Sequence, residues 1–163
     1  MAMQSIDTHE LITPSPAMFS GLDSFAVRYG DVAALVGRLA LGWIFFKFGY
    51  DKLQNVAGFA GYLTSLGVPA PGFFAWVATL TEVVMGLALI FGIATRYAAI
   101  GSFIYLILTI LIAHRFWELT GPARVAQYNN FHKNLAMLCG SLLLFVTGPG
   151  RFSVDGWLRK QGR

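Results

Sequence analysis

The chain has 163 residues, of which 56% are hydrophobic and only 12% charged, about half the charged share of an ordinary soluble domain. With 14 Phe and 18 Gly, this composition calls for a lipid-facing surface and leaves no room for a separate soluble catalytic domain. The net charge of +4 reflects few acids, 8 against 12 Lys and Arg. No basic run is interleaved with aromatics, so a nucleic-acid surface is excluded.

Residues 1–31 read as a cytosolic amino-terminal arm, not as a secretory signal. They lack a basic start and an unbroken apolar core, because Asp7, His9, Glu10, Pro14 and Pro16 interrupt them. A short helix is expected around Leu22 to Tyr29. Four apolar segments follow, at about 32–48, 73–91, 97–113 and 131–147, each near the roughly 20 residues that cross a hydrocarbon core. Backbone polar groups cannot stay unpaired in lipid, so each span is expected to be helical. The last is long enough only if Phe131 to Asn134 extend it into the interface.

Turn residues support these cuts. Gly67, Pro69, Pro71 and Gly72 separate the first two spans, Gly121 and Pro122 interrupt the third loop, and Gly148-Pro149-Gly150 closes the fourth span. The Gly92–Arg96 connection is so short that the helices around it must run antiparallel. The predicted fold is therefore all-α: an integral membrane four-helix bundle, up-down-up-down, over residues 32–148, with a cytosolic tail at 149–163. Both termini fall on the side of Arg28, Arg96, Arg151, Arg159, Lys160 and Arg163, and the excess of positive charge there puts that side in the cytoplasm.

Aromatics gather at the opposite face. Trp43, Phe45, Phe46, Phe48 and Tyr50 end the first span, Phe73, Phe74 and Trp76 begin the second, and Phe116, Trp117, Tyr128 and Phe131 flank the third loop. Such a belt anchors helices at the interface. The lone Cys139 excludes an internal disulfide or a thiol-only metal site, and its apolar context reads as a buried, inert thiol.

Glu82 is the most informative residue. It lies near the middle of the second span, too deep to snorkel out, where an ionisable group faces a partner or a cavity. Arg38, about two turns into the first span, is the expected partner. Their pair would fix helix register, or Glu82 would handle protons or a ligand's polar head. A second polar group, comprising Lys47, Tyr50, Lys52, His114, Arg115, His132, Lys133 and Asn134, converges on the outer face. The spacing of its histidines gives no metal or haem signature. A basic, aromatic-lined mouth suits a quinone ring, a lipid head group or an anion, and plain interfacial anchoring stays open beside these.

The same segments resemble the DoxX family of small four-helix membrane proteins. The resemblance runs through Arg38-Leu-Ala-Leu-Gly42, Phe46, Gly49, Lys52 and Leu53, then Glu82, Gly86, Leu89, Gly92, Thr95 and Arg96. It continues with Phe131-His-Lys-Asn-Leu135 and closes with Gly148-Pro-Gly-Arg-Phe-Ser-Val-Asp155. It implies a multi-pass protein of the bacterial inner membrane. Several members of that family are linked to redox work; its DoxD branch is the large subunit of a thiosulfate:quinone oxidoreductase. On this basis the chain is expected to be a redox-associated subunit, a component of a quinone-linked oxidoreductase, with no intrinsic cofactor or metal. It would bind quinone or a similar lipophile through Arg38, Lys52, Glu82, His132 and Asn134 and dock an oxidoreductase partner. The alternative is a non-catalytic scaffold or assembly subunit of a respiratory complex. Small residues such as Ala33, Gly37, Ala40, Ala98, Ala99 and Gly101 would allow the close helix contacts it needs.

Overall fold

A computed structural model describes residues 20–162. These residues form six α-helices: α1 (Ser20–Gln54), α2 (Val56–Ser65), α3 (Pro71–Phe91), α4 (Thr95–Ala113), α5 (Gly121–Thr147) and α6 (Val154–Gln161). A single 3₁₀ turn, Phe116–Glu118, links α4 to α5. No strand occurs among the described residues. Three helical segments, Gly21–Gln54, Pro71–Phe91 and Thr95–Glu118, are long and apolar enough to cross a membrane. The 27 residues of α5 would reach about 40 Å. Only their carboxyl half is apolar, because Gln127, Asn129, Asn130, His132, Lys133 and Asn134 crowd the first half.

Local chemistry sets the helix ends. Asn55 stops α1 and starts α2, its side-chain oxygen accepting the Gly58 N–H at 2.8 Å. Pro71 and Pro122 occupy first-turn positions in α3 and α5, where a missing N–H costs nothing. Gly92, at φ 70°, ends α3 in the left-handed cap that favours glycine.

The chain divides at Gly30 and Asp31 into two compact units. In the described part of the first, the Phe25 and Tyr29 rings lie 4.5 Å apart, tilted by 42°. In the second, a core of Leu41, Phe45, Met85, Leu89, Ala98, Ala99, Leu106, Met137 and Leu144 draws on α1, α3, α4 and α5. The backbones of α1 and α3 touch. A Cβ on Gly86 would lie 2.5 Å from the amide nitrogen of Phe46, and one on Gly49 would lie 2.8 Å from that of Val83. Since Gly42 meets Gly86 while Gly49 meets Val83, the two helices run antiparallel. Between α4 and α5, the Ser102 hydroxyl donates to that of Ser141 at 3.0 Å. Large apolar side chains such as Val84, Leu143 and Val146 point outward, as a lipid-facing surface requires.

Several expectations change. The first helix begins at Ser20 and passes the expected arm boundary without a break. An additional helix, α2, fills the stretch read as a loop between the first two spans. Gly121-Pro122 begins a helix instead of interrupting a loop, so the last long helix starts ten residues earlier than expected. Part of the tail folds as α6. Cys139 is exposed, not buried; an apolar sequence context reads the same whether a side chain faces the core or lipid. Residues 1–19 of the expected arm, and Arg163, lie outside the described residues.

Candidate functional site

Among the described residues, two charged side chains, Arg38 and Glu82, are buried at helix level, and they do not meet. Arg38 is 1% exposed. Its guanidinium donates to the carbonyls of Leu89 at 2.8 Å, Ile90 at 2.7 Å and Phe152 at 2.6 Å. The first two are among the last four carbonyls of α3, which have no partner within their own helix, so the cation also sits at the negative end of the helix dipole. Across the short connection, Asp155 does the converse. Its carboxylate accepts the N–H groups of Ala94 at 2.8 Å and Thr95 at 2.7 Å at the start of α4. Burial alone would raise the Asp155 carboxyl, but the hydrogen bonds from Thr95 and Ala94, with Arg159 nearby, outweigh it and hold the group below the usual carboxylate range. One turn thus has both of its helix ends neutralised by side chains from other segments.

Glu82 has different partners. Its Oε1 accepts from the ammonium of Lys52 and from the Tyr105 hydroxyl at 2.5 Å. The side chain is 6% exposed, against 24% for Lys52. The expected Arg38–Glu82 pair is therefore corrected to Lys52–Glu82. The physical reason is register: antiparallel packing sets Glu82 level with Gly49, and Arg38 level with Leu89 and Ile90. Lys52, three residues beyond Gly49, reaches back to the acid, as a long side chain can.

Above this pair lies a cavity of about 230 Å³. Helix α1 contributes Phe45, Phe48 and Lys52; α3 contributes Glu82. Tyr105, Leu106 and Thr109 come from α4, His114 follows that helix, and Asn130, Lys133, Asn134 and Met137 come from α5. The polar half of α5 thus adds Asn130, Lys133 and Asn134 to the cavity's polar lining. Lys133 sits 4.7 Å from the Phe48 ring centre and Lys52 5.0 Å from that of Phe59, both in cation–π range. Beside the cavity, Phe116 packs edge-on against Trp117, Tyr128 and Phe131.

Of the residues singled out from sequence, Lys52, Glu82 and Asn134 line this cavity and Arg38 and His132 do not. Arg38 serves the other end of α3. The exposed His132 ring lies 4.2 Å from that of Tyr128, tilted by 45°, with Nδ1 2.9 Å from the Tyr128 carbonyl. Tyr105 was missed, because a tyrosine in an apolar span reads as filler. A signal existed: Glu82 stands ten residues before Gly92 and Tyr105 ten after Thr95, so the tight turn brings them level. No group of three or more His, Cys, Asp or Glu among the described residues could hold a metal ion.

A comparison with protein families matches the DoxX model to residues 33–115. The chain is 36% identical over 135 residues to inner membrane protein YphA of Escherichia coli, covering 79% of this chain and 96% of that one. It is 35% identical over 131 residues to inner membrane protein YqjF of the same organism, covering 80% and 95%. At 27% over 130 residues, covering 80% and 90%, it is similar to a Bacillus subtilis protein that bears the name "Putative oxidoreductase CatD". No solved structure matches.

Proposed function

The chain belongs to the DoxX family and is a multi-pass protein of the bacterial inner membrane, and from that premise we propose that it is a redox-associated subunit whose cavity takes the ring of a quinone or similar lipophile. In this reading α5 is the fourth span, its polar half completing the cavity wall at the outer interface. The termini face the cytoplasm, and an oxidoreductase partner docks on the protein. The observation that carries the reading is the cavity itself, lined by the Lys52–Glu82 ion pair, the aromatic rings of Phe45 and Phe48, and amides from α5. A buried ion pair rarely improves stability over apolar packing, and a cavity costs packing energy. Their coincidence at membrane depth favours a ligand.

Size narrows the ligand. About 230 Å³ lies below the roughly 300–1,000 Å³ of ordinary ligand pockets, so a single ring fits while an isoprenoid tail must leave along the helices into lipid. The similarity to CatD, whose name includes oxidoreductase, supports the redox assignment. The test is a thermal-unfolding series of the protein in nanodiscs with a short-chain quinone. A rise in midpoint that Lys52→Met and Asn134→Leu both diminish is the expected result. No shift, together with no quinone extracted from the purified protein, would sink the reading.

One observation favours a second reading, the scaffold or assembly subunit. Ala33, Gly37 and Ala40 are exposed along one face of α1, and nothing lies within 4 Å of a Cβ built on Gly37. Small residues so spaced allow a neighbouring helix to approach closely. Copurification with respiratory subunits that survives Glu82→Gln would favour this role.

A further inference from the structure

The cavity's hydrogen-bonding groups are unequally used, and the inequality has a chemical direction. Both donors that reach Glu82, the Lys52 ammonium and the Tyr105 hydroxyl, converge on Oε1. The second oxygen, Oε2, is buried and has no hydrogen-bond partner. Leaving a buried acceptor of a charged group unpaired costs more than the bond itself would contribute. Other acceptors share the site. His114 Nδ1 is 2.8 Å from Gln127 Oε1, and in the neutral tautomer protonated there Nε2 is an acceptor. Asn134 gives one Nδ2 N–H to the Asn130 carbonyl at 2.8 Å, keeping its second N–H as a donor and its Oδ1 as an acceptor. The Lys133 ammonium is engaged by Asn130 Oδ1 at 3.1 Å. Among these lining groups the buried one left without a partner is therefore an acceptor, Glu82 Oε2.

We infer that the cavity selects the reduced, hydroxyl-bearing form of its ring ligand, a quinol over a quinone, because Glu82 Oε2 is a buried acceptor without a partner and a quinone, itself only an acceptor, leaves it so. This inference rests on the ring-binding reading above and refines it to a ligand class. A quinone carbonyl can use the spare N–H groups of Lys52 but brings nothing for Oε2. A quinol hydroxyl donates to an acceptor and still accepts from Lys52. The two forms have nearly the same shape and apolar area, so burial does not separate them; hydrogen-bond direction does. A site built to pair a ligand hydroxyl discriminates sharply against the analogue that lacks it, since its own polar groups are then left unpaired. One such bond corresponds to a preference of about tenfold.

The experiment compares decyl-ubiquinol with decyl-ubiquinone by anaerobic titration of the wild-type protein in nanodiscs, read by intrinsic fluorescence and thermal shift. The expected result is a dissociation constant about tenfold lower for the quinol. Glu82→Gln sharpens the test. Its amide keeps an oxygen for Lys52 and Tyr105 and places an N–H₂ donor where Oε2 stood, so the preference should shrink or reverse towards the quinone. Equal affinities in the wild type would overturn the donor argument while leaving ring binding intact. Binding of neither form would overturn both. The wild-type ratio alone decides, so the test does not depend on the variant folding.

Discussion

Arg38 and Glu82 are both buried charges at helix level, yet they do opposite things. Arg38 makes three hydrogen bonds, all to backbone carbonyls at the end of α3 and the start of the tail, and its Nε alone is buried without a partner. No space is left around it: a Cβ on Gly92 would stand 2.5 Å from its Nη1. Glu82 has one oxygen doubly engaged, the other idle, and a cavity beside it. The residues between them on α3 amount to about 12 Å of helix rise. A buried charge whose partners are backbone groups in close packing serves the fold. One whose partners are side chains facing open volume is available to something else.

Removing Arg38 should do the most damage. Arg38→Leu strands two carbonyls at the end of α3 and one at Phe152, and should cost about 3–5 kcal/mol, the range for removing one member of a buried charged network. Arg38→Lys should recover only part, because a point charge cannot fork to three carbonyls. Denaturant unfolding in mixed micelles measures both. If Arg38→Leu is within about 1 kcal/mol of wild type, the guanidinium does not hold the end of α3 together.

A double-mutant cycle sharpens the same contrast. Lys52→Leu and Glu82→Leu should be non-additive, the double variant being more stable than the sum of the singles predicts by about 1–3 kcal/mol, because each single leaves an uncompensated charge. Arg38→Leu with Glu82→Leu should be additive within about 0.5 kcal/mol, as separated sites with no shared partner are. The opposite outcome would restore the pairing that sequence depth suggests.

That reversal shows what the sequence makes legible. Depth in a span identifies Arg38 and Glu82 as costly and therefore meaningful, because burial cost depends on residue type and position alone. Choosing their partners needs the rotation and register of α1 against α3, which Gly42, Gly49 and Gly86 set through backbone contact. Nothing in the hydropathy pattern says that Gly49 and not Arg38 lies level with Glu82. The helices around Gly92 were readable because a turn of so few residues permits one geometry. The start of α5 was not, since its polar first half has the composition of a loop, and its contribution to the cavity follows from folding that half as helix. His132 illustrates the remaining ambiguity: it shares a helix with Asn134 two positions on, and at about 100° per residue two positions turn a side chain away from its neighbour's face.

Tyr105→Phe tests the cavity side at lower cost. Glu82 Oε1 keeps Lys52, so stability should fall by only about 1 kcal/mol. Ring-ligand affinity should fall several-fold, because the carboxylate that receives the ligand is no longer held from α4. Unchanged ligand affinity, measured by the same fluorescence titration, would show that the tyrosine contributes packing alone.

The smallest expected effect lies at the Arg38 end and is a pH dependence. Asp155, outside the spans, has its carboxyl held below the ordinary range by the Thr95 and Ala94 N–H groups despite partial burial. A group whose folded pKa is depressed stabilises the fold above its unfolded value, about 3.9 for Asp, and loses that contribution as pH falls through the folded value. Neutral pH should therefore leave the midpoint flat, and acidification below about pH 4 should lower it as the start of α4 loses its cap. Asp155→Asn keeps an acceptor oxygen for one N–H but not the charge, so it should begin slightly less stable and show a shallower decline across that window. Glu82→Gln, by contrast, should leave that part of the acid limb in place, because the Asp155 contacts belong to the other end of α3. Parallel acid limbs for wild type and Asp155→Asn would mean that the cap at α4 is held by geometry without help from the charge.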